Sequence, residues 1–230
     1  LKLSIIIPTL NESFQIGWLI QYLQNCLKDC ESEIIIADGG STDSTRIIAH
    51  KFNVRVIESY SSGRSLQMNS GAEIARGGVL FFLHADSFPP KDFYLKIFKS
   101  IRKNADAGCF RLKFDDPHPL LRLYSWFTMF DIDLFRYGDQ GLFIKKSLFH
   151  DINGFDETLT VMEDHEIVKR IRREAGKFTV LSDEMITSAR KYRTNGVIKL
   201  QAVFFLIVLF YYCGAGQETL IHLYKSLVKR

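Results

Sequence analysis

The sequence predicts an α/β protein: a doubly wound, mostly parallel sheet with helices on both faces and a helical tail at its C-terminal end. Three observations carry this. Short apolar runs recur at residues 3–7, 33–37, 54–57 and 79–83, as buried strands of a parallel sheet do. Between them, apolar residues fall at helical spacing, and strand–helix alternation of this kind builds βαβ units. From residue 202 the alternation gives way to the most apolar stretch of the chain.

Residues 3–7 form a central strand that ends at Pro8-Thr9. Asn11 or Ser13 is placed to cap the next helix, with Glu12 in its first turn; Ile16, Leu19, Ile20, Leu23 and Leu27 give that helix an apolar face to about residue 28. Residues 33–37 form the second strand, with Asp38-Gly39-Gly40-Ser41-Thr42-Asp43 at its carboxyl end. Ser41 or Thr42 then caps a helix running to His50, and residues 54–57 form a third strand. After Ser61-Ser62, Gly63-Arg64 opens a helix in which Met68, Ala72 and Ala75 share a face. Residues 79–83 are a fourth buried strand, after which the polarity flips to His84-Ala85-Asp86-Ser87 and Pro89-Pro90 closes the turn.

A helix over 90–103, a strand over 107–114 and a turn cluster over 115–119 follow. Residues 120–135 are aromatic-rich and predicted helical. Gly138-Asp139-Gln140-Gly141 precedes a strand over 142–145. Residues 154–157 lie in a loop, a helix runs from Met162 to Ala175 before Gly176 stops it, and residues 178–181 are a short strand. This organisation gives one catalytic-type domain, residues 1–195, and a helical tail, residues 196–230.

The chain has 230 residues, of which 30 are basic and 26 acidic, so its net charge is +4. That balance, without aromatic–basic clusters or zinc-finger spacings, argues against nucleic-acid binding, yet tolerates an anionic substrate or lipid surface. Cys26, Cys30, Cys109 and Cys213 are scattered and form no CxxC, which fits reduced thiols in a cytoplasmic protein. The first residues read as a strand, so no leader is expected.

Ligands of open α/β sheets bind beyond the carboxyl ends of the strands. Asp38 and Asp86 end strands, and Asp164 starts a helix. Asp86 beside an imidazole has two roles open to it: ligand to a divalent metal that also touches phosphate, or cap of the helix after Pro89-Pro90. Asp164 shares a helical stripe with Val168, Ile171 and Ala175, so it is expected to point inward, with a pKa raised by desolvation and opposed by the helix N-terminus. It is then either a general base or an N-terminal carboxylate with a dipole role alone. Arg64 at a helix start is either a phosphate fork or a surface arginine. Neither GxxxxGK[ST] nor GxGxxG occurs.

The combination is more specific than its parts. Ile5-Ile6-Ile7-Pro8-Thr9-Leu10-Asn11-Glu12, Ala37-Asp38-Gly39-Gly40-Ser41-Thr42-Asp43, His84-Ala85-Asp86 and Glu163-Asp164, in this order, resemble the family 2 glycosyltransferases of the GT-A fold. Within that family the chain is similar to a bacterial branch carrying Gly63-Arg64-Ser65-Leu66-Gln67-Met68-Asn69-Ser70-Gly71-Ala72, Gly138-Asp139-Gln140-Gly141 and Ser188-Ala189-Arg190. The match covers roughly residues 3 to 195.

The resemblance implies inverting transfer of a sugar from a nucleotide-diphosphate sugar, UDP-linked in the expected case, to an acceptor hydroxyl. Pro8, Thr9, Asn11 and Glu12 match the first nucleotide-contacting loop, and Asp38 matches the acid that meets the base. Arg64 matches a basic residue near the nucleotide, and Gly39, Asn69 and Ala85 fall on the donor side with it. His84 and Asp86 occupy the DxD motif, with Asp86 expected to hold Mg²⁺ or Mn²⁺. His84 in place of the first acid removes a carboxylate, which predicts weaker metal binding or a direct contact of His84 with ribose or phosphate. Asp164 matches the catalytic base, Arg190 a residue that steadies the leaving diphosphate, and Gly138, Asp139, Gln140 and Glu163 fall on the acceptor side.

The tail leaves several partners open. Residues 202–216 span about 22 Å as a helix, short of the ~30 Å hydrocarbon layer, so no transmembrane helix is predicted. The tail is expected to pack on the domain or on a second copy, or to lie in the membrane surface aided by Lys225, Lys229 and Arg230, which would suit a lipid-linked acceptor at the inner face of the cell membrane. Two other functions fit the sheet. A nucleotidyltransferase normally has a glycine- and arginine-rich first loop, which Pro8-Thr9-Leu10-Asn11-Glu12 is not. A non-catalytic nucleotide-binding or membrane-scaffold protein would have little use for Asp86 and Asp164 together.

Overall fold

The structure, a computed structural model, describes residues 1–59, 63–174 and 176–228. Ser61, Ser62, Ala175, Lys229 and Arg230, which entered the sequence argument, lie outside the described residues. Among the described residues eight strands, β1 (Leu3–Thr9), β2 (Ser32–Asp38), β3 (Arg55–Glu58), β4 (Val79–Phe82), β5 (Ser87–Phe88), β6 (Ala107–Phe114), β7 (Leu142–Lys145) and β8 (Phe178–Thr187), form one sheet in the order β3-β2-β1-β4-β7-β6-β8-β5. β1, β2, β3, β4, β6 and β8 run one way, and β7 and β5 run the other. The sheet is therefore mostly parallel, with β7 inserted in reverse.

Strand alternation distributes the apolar residues to two layers. Ile5, Ile7, Ile36 and Phe81 face one core, shared with α1 (Ile16–Cys26) and α4 (Phe93–Arg102). Ile6, Ile35, Leu80 and Phe82 face the other, shared with α3 (Arg64–Ile74), α6 (Lys146–Asp151) and α7 (Glu163–Glu174). The short α2 (Thr45–Ala49) lies on the first of these faces, where Ala49 is buried.

Several expectations shift by a few residues for identifiable reasons. α1 begins at Ile16, and neither Asn11 nor Ser13 caps it. Asn11 stands at φ 57° and turns its Oδ1 to the neighbouring loop, accepting from Thr42 N (2.9 Å) and Asp43 N (3.3 Å). Ser41 and Thr42 do not cap α2; the Ser41 hydroxyl donates to Asp38 (2.5 Å). The aromatic segment is helical only as α5 (Pro119–Phe127), with a 3-10 turn at Asp133–Phe135. The buried Arg136 guanidinium takes the carbonyls of Thr128 and Phe130 and so ends the helix early. β8 runs through the polar Ser182-Asp183-Glu184, where Lys96 pairs with Asp183 (2.5 Å) and Lys113 with Glu184 (2.8 Å).

α8 (Arg190–Asn195) leads into the tail, which forms α9 (Val197–Tyr212) and α10 (Gln217–Leu227). Leu200, Val203, Ile207 and Leu220 pack against Leu112, Phe114, Leu121 and Tyr192 in a third apolar cluster. Its attachments also reach the start of α7: Tyr212 and His165 share a hydrogen bond (2.7 Å), and Gln217 accepts from Thr160 N and Val161 N (3.0 and 3.1 Å). Among the described residues no helix is long and apolar enough to cross a membrane.

Candidate active site

Strand direction gathers the candidate residues on one edge. β1, β2, β4, β6 and β8 end there, and reversed β7 begins there, so Gly138-Asp139-Gln140 arrives beside the segment that follows β4. That segment, residues 83–86, leaves the middle of the sheet at Phe82 and re-enters it at the far edge as β5. Asp86 keeps its side chain partly exposed, while its carbonyl accepts from Ser188 N (3.2 Å) just after β8.

The first group of residues is a rigid floor. Asp38 is fully buried; its carboxylate accepts from Gly40 N (3.1 Å), Ser41 N (2.8 Å), Ser41 Oγ and Thr9 Oγ1 (3.0 Å). The oxygens expected to meet a base are thus taken up in shaping the loop. Gln67, to which the sequence argument gave no role, donates from Nε2 to Thr9 O and Ala37 O (2.7 Å each), clamping the ends of β1 and β2. A Cβ on Gly39 would stand 2.9 Å from Gln67 Cδ, which is why glycine follows Asp38. The available signal was a glutamine beside Met68, inside the buried stripe of α3. Gln67→Leu keeps the volume but removes both hydrogen bonds. It is expected to lower stability by about 1–3 kcal/mol, measured by urea unfolding; an unchanged midpoint would show the clamp to be inert.

Two other donor-side expectations change. Asn69 spends both ends of its amide on residues 155–157, donating to Phe155 O and Glu157 (2.9 Å each) and accepting from Phe155 N (2.9 Å). It therefore pins a loop and has no free end for a donor. The Ala85 side chain is buried in the core below the edge. Pro8 sits within β1, where it precedes Thr9. Glu12 and Arg190 approach each other (3.6 Å), which brings the segment after β8 to the first loop. Burial, and the charge of Asp86, raise the Glu12 pKa against the pull of Arg190.

The second group is charged and interlocked. His84 Nδ1 lies 2.7 Å from Asp139 Oδ1, and His84 Nε2 lies 3.9 Å from Asp164 Oδ2. Asp139, expected on the acceptor side, thus belongs with the DxD segment. One donor atom each from His84, Asp86 and Asp139 lies within 4.8 Å of the others, a set that fits a divalent cation. Burial and Arg64 push the His84 pKa down, but Asp139 and Asp164 outweigh them, and the net shift is upward. Burial likewise opposes the charge on Asp139, and the His84 hydrogen bond holds its carboxyl below the ordinary range.

Arg64 reaches across to α7. Its Nη1 lies 2.8 Å from Glu163 Oε1 and 3.7 Å from Asp164 Oδ2. Burial opposes its charge, yet Glu163, Asp164, Asp139 and Asp86 together hold it firmly protonated. The buried stripe of α7 contains Glu163, Ile167, Val168 and Ile171, so the most enclosed carboxylate is Glu163, 4 % exposed, and not Asp164, 18 % exposed. The Glu163 pKa is raised by burial and by Asp164 against the pull of Arg64. Gly138 fits between the two halves: a Cβ there would overlap Asp164 Oδ2 and stand 2.5 Å from His84 Nε2. Gln140 is fully buried and accepts from Tyr137 N (3.2 Å), fixing the turn that carries Gly138 and Asp139.

Comparisons with known proteins agree with this edge. The family model for glycosyl transferase family 2 matches residues 4–175. A dolichol-phosphate mannosyltransferase of Pyrococcus furiosus is 30 % identical over 113 residues, covering 47 % of this chain and 32 % of its own length. The mannosyltransferase PcManGT from Pyrobaculum calidifontis, solved with GDP-Man and Mn²⁺, superposes with a TM-score of 0.72 at 15 % identity, over 92 % of this chain and 63 % of its own. S. aureus TarS 1-349 in complex with UDP-GlcNAc gives a TM-score of 0.66 at 19 % identity, over 82 % of this chain and 58 % of its own. The chain thus spans about a third of the length of that curated relative and about three-fifths of the two solved chains. The two structural likenesses establish the GT-A sheet.

Proposed function

The chain belongs to glycosyl transferase family 2, and on that premise we propose that it moves a sugar from a nucleoside-diphosphate sugar to an acceptor hydroxyl with inversion at the anomeric carbon. The observation that carries the proposal is the placement of Asp164. Its carboxylate stands at the open edge, 3.9 Å from His84 and 3.7 Å from Arg64, beside the His84–Asp86–Asp139 cluster. Asp164 takes the proton of the acceptor hydroxyl as its oxygen bonds to the anomeric carbon. The bond from that carbon to the diphosphate breaks on the opposite face, so a single displacement inverts the centre. The carbon is cation-like in between, as in glycoside hydrolysis.

The remaining residues hold the reactants. Asp38, Thr9, Ser41 and Gln67 set the loop on which the base and ribose rest. Arg190 is held only loosely by Glu12 and is free to exchange that carboxylate for the departing diphosphate. Arg64, 3.7 Å from the Asp164 carboxylate, helps to aim it. His84, Asp86 and Asp139 would hold the divalent cation, and their mixed nitrogen and oxygen donors suit Mn²⁺ better than Mg²⁺. When bound, the metal neutralises the charge that grows on the leaving diphosphate.

Calorimetric titration with UDP, GDP and several of their sugars, with Mn²⁺ and with chelator, tests the donor half. UDP is the expected partner, with affinity lost in chelator. Metal-independent binding would move the diphosphate contacts to His84 and Arg190. A folded protein that bound no nucleotide would overturn the reading.

A further inference from the structure

A second feature lies along β6. β7 pairs with β6 only at Ala107, Gly108 and Cys109, and β6 is irregular between Cys109 and Arg111. Beyond that point one edge of β6 carries α5 in place of a strand, with Leu112 N donating to Thr128 Oγ1 (2.9 Å). A cleft of about 620 Å³ opens between them, a volume within the range of small-molecule sites.

Its charges are unevenly matched. The acids on it are already paired: Asp115 and Asp116 with Arg193 (3.1 and 3.3 Å), and Glu184 with Lys113 (2.8 Å). Arg111 and Arg122 line the same cleft, and among the described residues neither has an ion pair or a side-chain hydrogen bond. Arg111 Nε is buried without a partner, a costly state that an anion would relieve. Apart from Ser125, the rest of the wall is apolar. Leu121 forms its base, and Trp126 and Met129 follow Arg122 on one face of the segment, 52 % and 39 % exposed.

The cleft is joined to the catalytic edge through residues 188 and 189. Asp115 at the end of β6 accepts from Ala189 N (2.7 Å), and Ser188 N binds Asp86 O (3.2 Å). We propose that this cleft seats the acceptor, and that the acceptor is an amphiphilic anion. Its apolar body lies on Trp126 and Met129, and its carboxylate or phosphate is held by Arg111 and Arg122. The acceptor role rests on the transferase reading; the ligand chemistry rests on the cleft.

The test is calorimetry of the full chain with octyl phosphate, octanoate and inorganic phosphate, beside a UDP and GDP titration of the same preparation. Octyl phosphate or octanoate is expected to bind one to one and more tightly than inorganic phosphate, and the tighter of the two identifies the acidic group. R111Q/R122Q should weaken that binding at least ten-fold and leave nucleotide affinity intact; R122Q, on the exposed face of α5, should give a smaller loss if the double variant misfolds. W126A should remove the advantage of octyl phosphate over phosphate. Absence of binding by any probe, or binding indifferent to the arginines, overturns the proposal. Arginine-dependent binding in a protein that takes no nucleotide supports the cleft and overturns the transferase reading instead.

Discussion

Asp164→Asn is expected to lower turnover by about 10²–10⁴-fold while nucleotide binding survives. The substitution preserves shape and removes the proton acceptor. Arg64 retains its shorter bond to Glu163 (2.8 Å), so the start of α7 stays anchored. Glu163 is the rival base, since it is the more enclosed carboxylate and its pKa is raised. Its Oε1 is engaged by Arg64, however, and burial leaves it little access to an acceptor. Single-turnover transfer and nucleotide calorimetry on one preparation separate the two. Near-normal turnover of Asp164→Asn would remove Asp164 from the base role and point to Glu163.

The repeating part of this architecture was legible because it is written in short periods. Apolar runs at residues 3–7, 33–37 and 79–83 became β1, β2 and β4, and the stripe Ile16, Leu19, Ile20, Leu23 became the buried face of α1. The polarity flip after Leu83 correctly marked the end of a buried strand. Long-range pairings were not legible. Nothing in the sequence says that β7 runs in reverse, and only that reversal carries Asp139 to His84. The Arg64–Glu163 pair joins residues 99 apart. The early end of α5 depends on Arg136, a buried cation whose partners are backbone carbonyls and so leave no pattern in composition. Helical periodicity correctly turned Asp164 inward with Val168 and Ile171, but it gave no sign that Glu163, on the neighbouring row with Ile167, is the more enclosed carboxylate.

That crowding at the start of α7 gives the second large effect, at a residue with no side chain. Gly138→Ala is expected to cut turnover by about 10²-fold or more, on the scale of misplacing a reacting group by an ångström, with little loss of stability. The added methyl would occupy the space of Asp164 Oδ2 and press on His84 Nε2. Both are side-chain ends and can swing aside, so the fold has a cheap escape and the chemistry does not. If Asp164 moves away from Arg64 it also loses the cation that helps to aim it. Glu163→Gln in the same assay controls for a general disturbance of α7, because it alters the buried pair without touching the Gly138 contact. The informative comparison is turnover against nucleotide affinity, both measured with Mn²⁺ on one preparation. A fall in turnover with unchanged affinity places the damage at the base. Unchanged turnover would mean that Asp164 works from a position other than the one it takes against Gly138.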